Sequence, residues 1–323
     1  MRACASATLP LPAALAPSVR YLDPLSRAVQ HVDAHFGERL GAETPARCAA
    51  MSTQHFLRLF RACFGTTVAG YVTWRRLQHA CELLGTGGEP VPGVALAVGH
   101  ESAQALAKAM RRELDTTPTA VRRGVAPSWQ KLFERRNALP DPIKSADRQM
   151  LKPRMIEVPE FAVLTAAGRG MDSGSMSRAA AQGFGELIRA VAAAGLSQRI
   201  GRCVAVMHDE PDEPEHPEDQ QARMWCGVVL DPALVHRQGR RTPPPIELSG
   251  SLAWRTVPGG RCAMFTHIGP CDSLHTLWTA IYRDGLPATG YPLRDTPPFE
   301  DCVNDPKAAP PDQLRTDICV PLQ

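Results

Sequence analysis

The pattern of apolar residues changes once along the chain, and this change constrains the fold more than any other feature. Residues 22–123 contain short helix-length segments rich in Ala, Leu, Arg and Gln, which Gly and Pro separate. From Met155 onward, short apolar runs alternate with Pro/Gly turns, and two helix-length segments occur at 177–195 and 272–285. The first pattern predicts an all-α domain and the second an α+β domain.

The length of the chain agrees with two domains. At roughly 150 residues per domain, 323 residues suffice for two, and the hydrophobic fraction of 44% supplies a core for each. The stretch 124–152 combines three prolines with mixed charge, which is typical of a connector. We therefore expect a disordered tail at 1–20, a helical domain at 21–123, a linker at 124–152 and an α+β domain at 153–323.

Charge and cysteine content narrow the class of protein. Residues 1–152 carry a formal charge of +8 and the remainder −5, so a basic half is joined to an acidic half. No apolar run approaches the ~20 residues of a transmembrane helix, which predicts a soluble protein without a membrane partner. The ten cysteines occur singly, with no CxxC pair. This spacing favours reduced thiols in the cytoplasm over disulfides or a structural metal site.

Residues 46–61 have the pattern of a helix-turn-helix unit. Small alanines allow close packing of a first helix, Ser52 is placed to cap a second, and Phe56, Leu59 and Phe60 form the inward face of that helix. Such a helix enters the DNA major groove with its N-terminal residues. The pattern therefore predicts contacts to bases and phosphates from one outward set, Thr53, Gln54, His55 and Arg58.

A second copy of this pattern occupies residues 94–112. Gly99 supplies the turn, Ser102 the cap, and Leu106 and Met110 the inward face. The predicted DNA contacts are Ser102, Gln104, Lys108 and Arg111. An apolar stripe along 71–84 predicts one connecting helix, which would hold the two reading helices about one DNA turn, ~34 Å, apart.

With both units in place, residues 40–123 resemble the DNA-binding domain of the AraC/XylS family of bacterial transcriptional regulators. The residues that carry the resemblance are Ser52, Phe56, Arg58, Phe60, Gly65, Tyr71, Arg76, Leu77, Ala80, Leu84, Ala95, Gly99, Ser102, Pro118 and Arg122. The family usually has Phe at the positions of His100, Leu106 and Met110 and Gly at Asp115. The resemblance implies double-stranded promoter DNA and RNA polymerase as partners. The smaller side chains at these positions predict a weakly packed second unit.

The C-terminal half contains an internal repeat. Ala162, Thr165 and Gly168 recur 101 residues later as Ala263, Thr266 and Gly269, and a helix-length segment follows each copy. Two such units predict a pseudo-twofold domain with a pocket between its copies.

Residues 154–323 resemble the GyrI-like effector-binding domain. The resemblance is carried by HIGP (267–270), the helix pattern at 275–291, PPFEDCVNDP (297–306) and TDICVPL (316–322). It implies that a small molecule, cationic or aromatic, contacts a buried acid at Glu300. A carboxylate in an apolar cleft needs such a cation or a donor, and aromatic walls add cation–π attraction. The expected effector contacts are Glu300, Phe299, Trp278, Tyr282 and Trp225.

The motifs of common enzymes are missing from the sequence. It has no GxSxG, HExxH or P-loop, so we expect neither an enzyme nor a cofactor. The acidic stretch 209–219 reads as a solvated loop rather than a metal site. The leading prediction is a transcriptional regulator whose C-terminal domain senses a small molecule. The alternative is a small-molecule-binding or hydrolytic GyrI-like protein with a vestigial DNA-binding domain.

Overall fold

The structure is a computed structural model that describes residues 19–130, 150–170, 176–206, 223–231, 236–237, 240–241, 246–305 and 308–323. It divides the chain into two compact units, Met1–Pro140 and Asp141–Gln323. Most of the predicted tail, most of the predicted linker and the acidic stretch 209–219 lie outside the described residues. The first unit is helical and the second is α+β, which confirms the predicted fold class.

Seven helices make up the described part of the first unit. They are α1 (Val19–His35), α2 (Glu43–Cys48), α3 (Thr53–Phe64), α4 (Val68–Thr86), α5 (Val91–Ala97), α6 (Ala103–Leu114) and α7 (Pro118–Arg122). Four of them start at a Ser or Thr whose hydroxyl accepts a hydrogen bond from the backbone N–H three residues on. These caps are Ser52, Thr67, Ser102 and Thr117. The caps satisfy N–H groups that have no partner within the helix and so fix where each helix begins.

The core of the second helix-turn-helix unit forms around α4. Leu77, Leu84, Leu106 and Met110 are fully buried in one apolar cluster. Leu106 and Met110 stand where the related family usually has Phe, yet both side chains are completely enclosed. The smaller residues therefore do not leave this interface exposed to water.

The second unit is built on a sheet of eight strands in the order β1-β8-β10-β9-β3-β4-β2-β7. The described part of this unit contains ten strands, and β5 and β6 form a separate pair. The strands are β1 (Arg154–Val158), β2 (Phe161–Arg169), β3 (Ile200–Val206), β4 (Arg223–Leu230), β5 (His236–Arg237), β6 (Arg240–Arg241), β7 (Ala253–Val257), β8 (Gly260–Ile268), β9 (Phe299–Cys302) and β10 (Arg315–Pro321). All pairings are antiparallel.

The predicted repeat corresponds to two copies of a strand–strand–helix–strand–strand unit. The first contains helix α8 (Ser177–Ala193), and the second contains α9 (Leu274–Ala280) and α10 (Leu286–Thr289). The copies exchange their first strands, because β1 pairs with β8 and β7 pairs with β2. They meet where β9 pairs with β3, at the centre of the sheet.

The second helical segment continues beyond residue 285, where the sequence predicted its end. A π-helical turn at Ile281–Gly285 joins α9 to α10, and Gly290, with a φ of 73°, ends the segment. Gly285 serves packing instead, since a Cβ there would lie 2.8 Å from Cε1 of Phe265. No helix in the described ranges has both the length and the apolar composition needed to cross a membrane.

Candidate functional site

The first predicted reading helix, α3, is anchored by its buried face. Phe56, Leu59 and Phe60 are fully enclosed, and the Ser52 hydroxyl accepts a hydrogen bond from the N–H of His55 at 3.4 Å. The packing turns the opposite side of the helix outward. Thr53, Gln54 and Arg58 lie on that side, each partly exposed.

His55 does not share this orientation. Its side chain is 2% exposed, so the predicted outward placement is wrong. Residues four and seven positions later, Leu59 and Ala62, are both buried, and a 3.6-residue period places His55 in the same stripe. The histidine therefore belongs to the packed side of α3 in this unit.

The second predicted reading helix, α6, presents a row of polar side chains. Gln104, Lys108 and Arg111 are exposed, and their spacing of four and three residues places them on one face. Ser102 precedes them, and its hydroxyl accepts a hydrogen bond from the N–H of Ala105 at 3.1 Å. The backbone N–H groups at this end favour an anionic phosphate.

Comparison of the two units adds a residue that the sequence analysis missed. The caps Ser52 and Ser102 are fifty residues apart, and the same offset relates Arg111 to Arg61. Arg61 is exposed on α3. The internal repeat was the signal that would have found it.

The turns between the helices place both reading helices in the same way. Each turn starts with a residue in the left-handed region, Ala50 with φ 54° and Gly99 with φ 78°. Each also contains a backbone bond across six residues, from Met51 N–H to the Ala46 carbonyl and from His100 N–H to the Ala95 carbonyl. This is the Schellman arrangement, which ends one helix and redirects the chain.

A partly buried arginine, Arg76, ties the second turn to the rest of the unit. Arg76 donates from Nε to the Phe36 carbonyl at 2.6 Å and from a terminal nitrogen to the Glu38 carbonyl at 2.7 Å. A Cβ on Gly99 would lie 2.3 Å from the Gly37 carbonyl oxygen in the same segment. Burial, and then the charges of Arg76 and Arg112, lower the pKa of His100. His100 is therefore neutral at neutral pH.

In the second unit, the sheet register places Glu300 at the centre of the helix-covered face. Glu300 on β9 is paired with Ala205 on β3, which is paired with Cys226 on β4. Directly paired residues of antiparallel strands share a face. Cys226 identifies that face, because its thiol donates to the Ala180 carbonyl of α8 at 3.6 Å.

Of the predicted aromatic residues, Trp278 on α9 contacts Glu300, and Tyr282 in the π-helical turn packs against Trp278. The Trp278 indole Nε1 donates to Glu300 Oε1 at 2.5 Å, and the Tyr282 ring stacks on Trp278 with centroids 6.1 Å apart. Glu300 is 4% exposed, and both rings are buried. The structure thus assembles an acid and two aromatic rings where the two repeats meet.

Phe299 and Trp225 lie on the opposite face, so the prediction that they line this cleft is wrong. Phe299 precedes Glu300 on β9 and therefore points the other way. It is paired with Val206, which is paired with Trp225. On that face the Arg255 guanidinium lies 4.2 Å from the centroid of the Trp225 ring.

A buried histidine near the end of β8 contacts the turn that leads into α9. His267 Nε2 lies 2.8 Å from the Ser273 hydroxyl, which donates to the Pro270 carbonyl at the same distance. Burial lowers the pKa of His267, and its Nδ1 has no hydrogen-bond partner within the described structure. At neutral pH the ring is therefore neutral, and it links β8 to the start of the helix that carries Trp278. Among the described residues, no group of three or more His, Cys, Asp or Glu side chains is arranged to hold a metal.

Comparison with known families assigns both units. A helix-turn-helix domain model matches residues 46–124, and a model of the GyrI-like small molecule binding domain matches residues 151–323. The second match covers more than half of the chain. The chain belongs to the GyrI-like family. Its first unit is an AraC-type DNA-binding domain, and together the two units form a DNA-binding transcriptional regulator with a GyrI-like domain.

The chain is also similar to individual known proteins. The regulatory protein SoxS of Salmonella typhimurium strain LT2 is 30% identical over 94 residues, which are 29% of this chain and 88% of SoxS. The probable transcriptional regulator YgiV of Escherichia coli strain K12 is 34% identical over 98 residues, 30% of this chain and 53% of YgiV. The DNA-binding domain of AdpA, solved in complex with a target DNA, is 34% identical to the matched part of this chain. That match covers 32% of this chain and 92% of the AdpA chain, with a TM-score of 0.30.

Proposed function

We propose that this GyrI-like regulator binds specific promoter sequences through α3 and α6, and that a small molecule in the Glu300 cleft changes this binding. The observation that carries the proposal is the buried Glu300 carboxylate, which accepts a hydrogen bond from the Trp278 indole at the junction of the two repeats. It occurs in the same chain as two capped reading helices. Binding to promoter DNA implies a cytoplasmic protein, with RNA polymerase as a further partner.

The proposed DNA contacts are the outward residues of the two reading helices. On α3 they are Thr53, Gln54, Arg58 and Arg61, and on α6 they are Ser102, Gln104, Lys108 and Arg111. Arg and Gln side chains read base edges, whereas Lys and the N-terminal backbone groups favour phosphates. The net charge of +8 on residues 1–152 supports attraction to the DNA backbone.

Titration of the full chain with its own upstream DNA and with a scrambled duplex, at two salt concentrations, tests this part. We expect selective binding with a steep salt dependence. Arg58→Ala should weaken specific binding by about 1–3 kcal/mol and relax selectivity if Arg58 reads a base. The exposed Arg189 of α8 is a matched control, since Arg189→Ala removes the same charge from the other unit. Equal losses in the two variants would remove Arg58 from the interface.

The chemistry of the cleft supports a cationic or aromatic ligand. A buried carboxylate is costly unless donors or a positive charge offset its lost hydration. Trp278 supplies one N–H donor, and a cation would add direct charge pairing. The faces of Trp278 and Tyr282 would add cation–π attraction. A panel of aromatic cations, titrated while Trp fluorescence is recorded, is the corresponding binding assay.

A variant that removes the charge of Glu300 distinguishes ligand binding from hydrolysis. Glu300→Gln keeps the side-chain shape and should weaken binding of a cation at least tenfold, whereas Glu247→Gln at an exposed site should not. If the wild-type protein converts the bound compound to a product and Glu300→Gln does not, the result would instead support the hydrolytic alternative. Unchanged affinity in Glu300→Gln would refute the role of this carboxylate.

Coupling between the two units is the last part of the proposal. If a ligand changes DNA affinity by some factor, DNA must change ligand affinity by the same factor. Measuring both affinities therefore provides an internal check. A ligand that leaves DNA affinity, DNA bending and transcription unchanged would refute the regulatory mechanism.

A further inference from the structure

Two cysteines face each other across the central strand pair of the second unit. Cys203 on β3 and Cys302 on β9 are direct register partners. Directly opposed residues in antiparallel strands have Cα atoms roughly 4.5 or 5.5 Å apart, depending on the type of pair. Disulfides form between Cα atoms about 4.4–6.8 Å apart, so this register meets the distance requirement for a bond between the two sulfurs.

The pair lies on the same face of the sheet as Glu300. Two residues beyond it along the same strands, Glu300 is paired with Ala205, so all four side chains share the helix-covered face. The repeat reinforces this placement. In the first repeat, Leu164 pairs with Val228, which pairs with Cys203. In the second repeat, Phe265, 101 residues after Leu164, pairs with Ile318, which pairs with Glu300. Cys203 therefore occupies in the first repeat the position that Glu300 occupies in the second.

Access distinguishes this pair from most other thiols of the unit. Cys203 and Cys302 are partly exposed, whereas Cys226, Cys262 and Cys319 are buried. A small reagent can therefore reach the pair without unfolding the sheet. The remaining thiol of this unit, Cys271, is exposed and lies in the turn before α9.

We propose that Cys203 and Cys302 form a dithiol modification site, which a peroxide or a low-molecular-weight disulfide converts to a disulfide bond across β3 and β9. With a peroxide, one thiol takes an oxygen atom to become a sulfenic acid and an alcohol or water leaves. The second thiol then displaces water as the S–S bond forms, so the peroxide is reduced and both thiols are oxidised. With a disulfide reagent, two exchange steps release two small thiols.

The surroundings of the pair set the rate of this reaction. Burial raises the pKa of Cys203, and the negative charges of Asp305 and Asp301 raise it further. Burial, followed by the charges of Glu300 and Cys203, raises the pKa of Cys302. Since the thiolate is the reactive form, oxidation is slow at neutral pH and accelerates about tenfold per pH unit below these pKa values. The site thus responds to strong or sustained oxidation.

Peptide mapping of the oxidised full-length protein tests the proposal. Reduced protein is treated with hydrogen peroxide or oxidised glutathione at pH 7 and pH 9, blocked with N-ethylmaleimide and digested with trypsin. The two cysteines fall in different tryptic peptides, 203–223 and 295–307. We expect these peptides to be joined with the loss of two hydrogen atoms, faster at pH 9, and to separate on reduction.

Variants identify the partners of the bond. Cys203→Ser and Cys302→Ser should each abolish the linked peptide, and Cys271→Ser should leave it intact. Circular dichroism reports whether each variant is folded, and Cys203→Ala provides a second substitution with no polar group. A bond between Cys302 and Cys271, mixed disulfides alone, or no linkage at pH 9 would overturn the assignment. The inference does not depend on the proposed function, because the bond forms or fails to form without DNA or ligand.

Discussion

Gly99 offers a quantitative test of how the second helix-turn-helix unit is held together. Its φ of 78° costs an alanine about 1–2 kcal/mol. In addition, the new Cβ would lie 2.3 Å from the Gly37 carbonyl oxygen and 2.8 Å from its carbonyl carbon. Relief of that overlap requires backbone shifts of the kind that cost roughly 1–3 kcal/mol. Gly99→Ala should therefore lower the free energy of unfolding by about 2–5 kcal/mol.

Gly87 is the matched control because it has the same backbone conformation in open space. Its φ is 74°, and no atom lies within 4 Å of the position of a Cβ. Gly87→Ala should cost only the conformational part, about 1–2 kcal/mol. Urea titrations of the full chain, followed by circular dichroism in the helical band, measure both losses. Equal losses in the two variants would refute the argument that close approach of the Gly37 carbonyl determines this turn.

The remaining predictions concern other packed groups. Ala50→Gly should raise the free energy of unfolding by roughly 0.5–1 kcal/mol, because glycine adopts the left-handed conformation of that turn without strain; urea titration checks this, and a loss would contradict it. Trp278→Phe removes an N–H donor to the buried Glu300 carboxylate and should destabilise the second unit by about 1–3 kcal/mol; unchanged thermal unfolding would argue against that bond. The folded-state pKa of His267 lies below its ordinary value of 6.5, so the unfolded chain binds more protons and stability falls as the pH drops from above 6.5 toward the folded-state value. His267→Gln should flatten the unfolding free energy over this acidic range, and parallel curves for the two proteins would exclude the histidine as the cause.

The sequence by itself determined that the first half is helical and that the second half combines strands with two helical segments. Ser52 and Ser102 mark helix starts because their hydroxyls satisfy local N–H groups, an interaction that spans only three residues. The spacing of Gln104, Lys108 and Arg111 likewise fixes a common face once the segment is helical. The repeat in the second half predicted two equivalent units for the same reason, since each copy repeats its own local pattern.

Only the tertiary structure decided which way several side chains point. His55 is polar and near a helix start, yet the packing of α3 places it on the inner side with Leu59. Phe299 and Glu300 are neighbours in sequence but face opposite sides of the sheet, and the pairing of β9 with β3 assigns each to its side. That pairing also places Cys203 opposite Cys302. A strand alternates its side chains regardless of sequence, so only the long-range register and the packing of helices on one face determine which residues share a cleft.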